Sequence, residues 1–168
     1  MAEADGDLAI IGPADSRVQV IDTERFPWNT IVHLCRDFGD GACRGCSGIL
    51  IGRRLVLTAA HCVWSIGRAA VPRRILVIPG RRDRETKPYG ALESREYWIP
   101  RGFIEGPDRQ SWDWGVVRLS RDAPAVLNRF AKPLVLQDMA FQRLMETSRV
   151  TIAGYPSDRP IGTMWRHR

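Results

Sequence analysis

Lysine is almost missing from this chain. Of 25 basic residues only Lys87 and Lys132 are lysines; the others are arginines. The pairs Arg53-Arg54, Arg73-Arg74 and Arg81-Arg82 are scattered, and no basic helix or tail gathers them. A net charge of +6 spread in this way describes a solvated basic surface and gives no reason to expect a nucleic-acid partner. Long apolar runs are missing too: none approaches the roughly 20 residues of a membrane-spanning helix, so no membrane partner is expected. Residues 1–7 are small and acidic, without the basic start and apolar stretch of an export signal. Internal repeats and low-complexity tracts are also absent, which removes fibrous and repeat architectures. What remains is 168 residues that are 44 % hydrophobic, enough for one ordinary domain or two small ones with a sizeable core.

The pattern along the chain is that of short strands. Residues 1–9 read as a leader, and Ile10-Ile11-Gly12-Pro13 opens the folded part. Apolar and β-branched residues alternate over 17–21, 30–35, 46–51, 54–57, 74–79, 91–99, 115–119 and 149–154, and 162–165 begins another such segment. Residues 37–45, with three glycines and two aspartates, read as a hairpin loop, and Gly52-Arg53 joins two strands. Residues 122–133 form a proline-containing connection, and 139–146 could make one or two helical turns. Many short strands with closely spaced turns predict an all-β barrel or sandwich.

Two stretches carry chemistry. Leu55-Val56-Leu57-Thr58-Ala59-Ala60-His61-Cys62 is a strand that ends by presenting an imidazole. Histidine titrates near neutral pH, so such a group suits general-base work. The second stretch, Ser111-Trp112-Asp113-Trp114-Gly115, places a carboxylate between two tryptophans just before an apolar strand, 52 positions after His61. A buried aspartate needs a partner, and an imidazole N–H is a fitting one. The cysteines Cys35, Cys43, Cys46 and Cys62 are even in number, which fits two disulfides in any of three connectivities and an exported protein. They also permit a zinc site, with Cys43-x-x-Cys46 completed by Cys62 or His61, although a second Cys-x-x-Cys is lacking.

Taken together these stretches resemble the trypsin-like (chymotrypsin-fold) serine proteases, and within them the bacterial glutamyl endopeptidases. The carrying residues are Ile10-Ile11-Gly12 with Asp15-Ser16-Arg17, Phe26-Pro27-Trp28-Asn29-Thr30-Ile31-Val32-His33, the Thr58–Cys62 motif, Asp113-Trp114-Gly115, Gly154-Tyr155-Pro156-Ser157-Asp158 and Gly162-Thr163-Met164-Trp165. The resemblance implies a chymotrypsin-like double β-barrel. Residues 10–121 would form a complete first barrel carrying His61 and Asp113, and 122–168 a linker with a partly present second barrel. It also implies a serine endopeptidase that acts as a secreted or periplasmic monomer on polypeptides without a cofactor, with processing near Ala9-Ile10. His61 would be the general base and Asp113 its orienting carboxylate. Cys46 would bond Cys62, with Cys35 and Cys43 closing a hairpin loop.

The family's nucleophile lies in a Gly-x-Ser-Gly motif after the aspartate, and no such motif follows Asp113 in these 168 residues. Gly45-Cys46-Ser47-Gly48 has the letters but precedes His61, so Ser47 is expected on an interior strand beside a disulfide. Ser157 lacks the glycine frame and reads as a turn residue, and His167 as a surface residue. The departure makes a catalytically inactive homologue, acting as a binding module for an acidic partner, the alternative to the endopeptidase.

Overall fold

The computed structural model describes residues 15–131, 143 and 146–167. The leader at 1–9, Ile10 to Ala14 and most of 139–146 lie outside the described residues; Arg143, Glu146 and Thr147 are helical. Ten strands are described: β1 (Val18–Val20), β2 (Ile31–Asp37), β3 (Arg44–Leu50), β4 (Leu55–Thr58), β5 (Arg74–Pro79), β6 (Leu92–Ser94), β7 (Glu96–Trp98), β8 (Gly115–Arg118), β9 (Ile152–Gly154) and β10 (Met164–His167).

Seven strands form one antiparallel sheet in the order β6-β5-β2-β3-β4-β8-β7. Alternation along each strand sends Val32 and Leu34 of β2, Val56 of β4, Ile75 and Val77 of β5 and Val117 of β8 to one interior, where all are fully buried. The edge strands β6 and β7 are separated in the chain by Arg95 alone. Ser94 Oγ donates to the Arg118 carbonyl at 2.6 Å and Ser120 N–H to that of Glu93 at 3.0 Å, which curls the sheet into a nearly closed barrel. The sequence reading of 91–99 as one strand is corrected here. The chain changes partner at Arg95, leaving β5 for β8, and the buried Ser94 hydroxyl substitutes for ladder bonds at that corner. A five-residue helix, α1 (Arg101–Glu105), was not expected and is too short to show a periodic pattern. Part of the 122–133 connection packs on the barrel, because Ala123 and Leu127 belong to its core cluster.

The other three strands form a small antiparallel sheet ordered β1-β10-β9. Its core is Val20, Tyr155 and Met164, with Trp28 and Ile31 packed against it. Arg17 joins the two ends of this region, donating to Asp15 at 3.0 Å and to Asp158 through Nη1 at 3.0 Å. That ion pair holds the Asp158 carboxyl below the usual carboxylate range. No described helix is long and apolar enough to cross a membrane.

Tyr155 is the seam between the two sheets. Its backbone N–H donates to Ser47 Oγ at 2.8 Å and its hydroxyl to the Arg81 carbonyl at 3.0 Å. Its ring lies 5.0 Å from that of His33. Gly154 permits the approach, since a Cβ there would sit 2.7 Å from Ser47 Oγ.

Candidate active site

The barrel register brings the two chemical stretches together. β4 and β8 pair with Thr58 opposite Gly115. The chain leaves β4 at Thr58 through Ala59, which is extended, into a 3₁₀ turn over Ala60–Cys62. It enters β8 from a second 3₁₀ turn, Gln110–Trp112, whose cap is Asp113. His61 and Asp113 therefore sit at the same end of two paired strands, although 52 positions separate them.

Asp113 grips His61 with both oxygens. Oδ1 accepts the His61 backbone N–H at 2.9 Å, and Oδ2 lies 2.7 Å from the ring Nδ1. A carboxylate only accepts, so Nδ1 carries the proton and Nε2 presents a lone pair. The imidazole is half-exposed, at 51 % of its side-chain surface, and is open to an incoming proton donor. This arrangement can take a proton at Nε2, while Asp113 fixes the tautomer and stabilises the charge that develops.

Several ties fix the turn from below. Cys46 and Cys62 are disulfide-bonded, as are Cys35 and Cys43. Thr58 Oγ1 donates to the Ser47 carbonyl at 2.7 Å. Arg36 Nη1 donates to the His61 carbonyl at 2.9 Å. On the other flank Trp114, half-exposed, lines a groove of about 510 Å³ together with Asp113, Ala59, Leu57, Ile31 and Ile152. The Trp112 ring lies across Gly102 of α1, where a Cβ would come within 2.7 Å of it.

The remaining sequence candidates fall elsewhere. The Ser47 hydroxyl accepts from Tyr155 and serves the seam between the sheets. Ser157 is an exposed turn residue. His167 is exposed at the end of β10, its Nδ1 2.9 Å from Ser16 Oγ. For zinc, the Cys46, His61 and Cys62 donor atoms lie within 4.8 Å of one another, but both sulfurs share one disulfide and Cys43 is bonded to Cys35. A zinc ligand must be a thiolate, so these sulfurs ligate only if the bridges open.

Sequence reasoning overlooked a second histidine environment, at the Tyr155 seam. His33 is 3 % exposed, and its Nδ1 lies 2.8 Å from Nη1 of the buried Arg81. Arginine only donates, so this imidazole is the opposite tautomer to His61, with its proton on Nε2. Burial, and then the Arg81 charge, push His33 down to about 4. Burial also lowers Arg81 and raises the Tyr155 phenol well above its ordinary value. The strict alternation of Thr30 to Cys35 puts His33 on the face opposite Val32 and Leu34. That placement was the available signal; what covered the face was not visible.

The family model described as Trypsin matches residues 18–167. This chain belongs to the trypsin family. The glutamyl endopeptidase of Bacillus licheniformis is 31 % identical over 95 % of this chain and 46 % of its own length. A Bacillus subtilis protein named extracellular metalloprotease is 26 % identical over 94 % of this chain and 48 % of its own. The chain thus spans about half the length of these curated relatives. A solved Glu endopeptidase in complex with MPD superimposes with a TM-score of 0.66 at 24 % identity, over 90 % of this chain and 66 % of that one. The fold is therefore a chymotrypsin-like double β-barrel, with the first barrel nearly closed and the second partly present.

Proposed function

We propose that this chain supplies the general base, His61, and its orienting carboxylate, Asp113, to a secreted serine endopeptidase. The observation that carries the reading is the two-oxygen grip of Asp113 on the His61 ring and backbone, at 2.7 and 2.9 Å. In the reaction a serine hydroxyl adds to the peptide carbonyl while His61 Nε2 takes its proton. Asp113 stabilises the imidazolium, and His61 then gives the proton to the departing amine as the carbon–nitrogen bond breaks. No Gly-x-Ser-Gly follows Asp113 in these residues, so the reading assigns the nucleophile and the oxyanion hole to a segment outside this sequence. Secretion is supported by the two disulfides, which persist in oxidising compartments. The protein acts as a monomer on polypeptide, without cofactor, nucleic acid or membrane.

The test is fluorophosphonate labelling of the protein as the complete native gene encodes it. One serine should label, and the rate should fall by about 10⁴-fold in His61→Gln and in Asp113→Asn. A folded protein that never labels would overturn the endopeptidase reading in favour of a binding module on a protease scaffold. Equal labelling of the wild type and His61→Gln would remove His61 from the chemistry.

A further inference from the structure

Arg36 connects the base-bearing turn to another part of the barrel. It stands on β2, and its guanidinium donates to three backbone carbonyls: through Nη1 to His61 at 2.9 Å, through Nε to Arg44 at 3.3 Å and through Nη2 to Gly45 at 3.4 Å. Arg44 and Gly45 open β3, whereas His61 belongs to the turn after β4. The turn's own hydrogen bonds use the carbonyls of Ala59 and Ala60, and Arg36 engages that of His61. One residue further along each segment, Cys46 and Cys62 are joined by the disulfide. The same two segments are therefore linked twice in adjacent registers: Gly45 to His61 through Arg36, and Cys46 to Cys62 through sulfur.

We infer that Arg36 is a positioning residue, a second tie that holds the His61 turn in place when the Cys46–Cys62 bridge is open. A guanidinium suits the task. It is planar, presents five donors in a fixed fork and stays charged at every pH a protein tolerates. Its bonds are indifferent to redox conditions, and the disulfide is not. The chain can then assemble the His61–Asp113 pair before oxidation, with the disulfide locking a turn already in place. A lysine at this position replaces the fixed fork with one compact ammonium and cannot reproduce the three-carbonyl arrangement. The inference rests on the reading of His61 as the general base.

The test uses the protein as the complete native gene encodes it, in four forms: wild type, Arg36→Met, Cys46→Ser with Cys62→Ser, and all three substitutions together. The readout is the imidazole proton–nitrogen correlation of His61 in its Nδ1–H tautomer, assigned by its loss in His61→Gln. It is paired with amide exchange at residues 60–62. Each partial removal should keep the tautomer signal. The combined removal should abolish it and speed exchange at 60–62 at least tenfold beyond the product of the two separate effects. Protection of β2 and β5 amides reports that the barrel is intact. If the triple variant does not fold, Arg36→Lys in the same serine background takes its place, with the same loss expected. The inference is overturned if the serine pair alone loses the signal, because Arg36 then cannot hold the turn. It is equally overturned if the combined variant exchanges no faster than the serine pair, or if lysine restores the signal. Absence of the Nδ1–H signal from oxidised wild type would instead sink the reading of His61 as an Asp113-oriented base. The amide exchange would still report on the tie.

Discussion

The two sheets of this molecule are held together by different means. The seven-stranded barrel surrounds a cluster of 13 buried residues and leaves almost no free strand edge. Among the described residues, the three-stranded sheet and its flanking turns centre on a small apolar cluster, Val20, Tyr155 and Met164, and they expose Val18 at 53 %, Val150 at 56 %, Ile152 at 69 % and Ile161 at 62 %. A described core of that size is a weak organiser by itself. Among the described contacts, the Tyr155 seam ties the small sheet to the barrel it leans on. A sheet can be well formed and still be a dependent of its neighbour.

The largest expected effect separates the two kinds of support. Tyr155→Ala should remove about 4 kcal/mol of packing and leave the β1, β9 and β10 amides exchanging freely while β2–β5 stay protected. Leu34→Ala, with a cost of about 3 kcal/mol, should instead lower the protection of both sheets together. If Tyr155→Ala melts the barrel as well, the dependence runs both ways.

Acid should act on the seam next. His33 is neutral in the fold and protonates only near pH 4, whereas in the unfolded chain it protonates near 6.5. Unfolding thus takes up a proton between those values. This contribution to stability is complete above pH 6.5 and declines as the pH falls, by about 3 kcal/mol at pH 4. The groups facing His33 are Arg81 and Tyr155, and neither changes its charge in that window. Urea titrations at pH 7 and pH 4 should show the loss in the wild type, and His33→Gln should flatten it. An unchanged slope in His33→Gln would move the acid sensitivity elsewhere.

The smallest effect sharpens the role of Ser47. Ser47→Ala leaves the Tyr155 N–H without its acceptor and should cost about 1–2 kcal/mol, read as faster exchange at Tyr155. The His61 tautomer signal should not move. If it does, Ser47 belongs to the site as well as to the seam.

Local patterns were legible in both sheets. Alternation revealed β1, β2, β3, β4, β5, β8 and β9 and the start of β10, and the flanks of His61 and Asp113 pointed to two residues that the structure brings within 2.7 Å. Quantities set by distant pairing were hidden. The break at Arg95 exists because the chain changes partners there, and a one-residue corner leaves no periodic trace. Arg36 looks like any other surface arginine until β2 and the His61 turn are placed side by side. His33 sits in a visible alternation, but the cover over its face arrives from Arg81 and Tyr155, 48 and 122 positions further on.

The pairing of β4 with β8 also fixes when the site can exist. Bringing His61 and Asp113 together closes a loop of 52 residues, which costs about 3–4 kcal/mol in chain entropy, more than one hydrogen-bonded pair returns. The pair cannot nucleate itself; it is delivered by the sheet as the last strands zip up. During synthesis His61 therefore emerges long before Asp113 can orient it. It gains that orientation only once β8 has left the ribosome and taken its place beside β4, so the pair is postponed until the barrel around it is built.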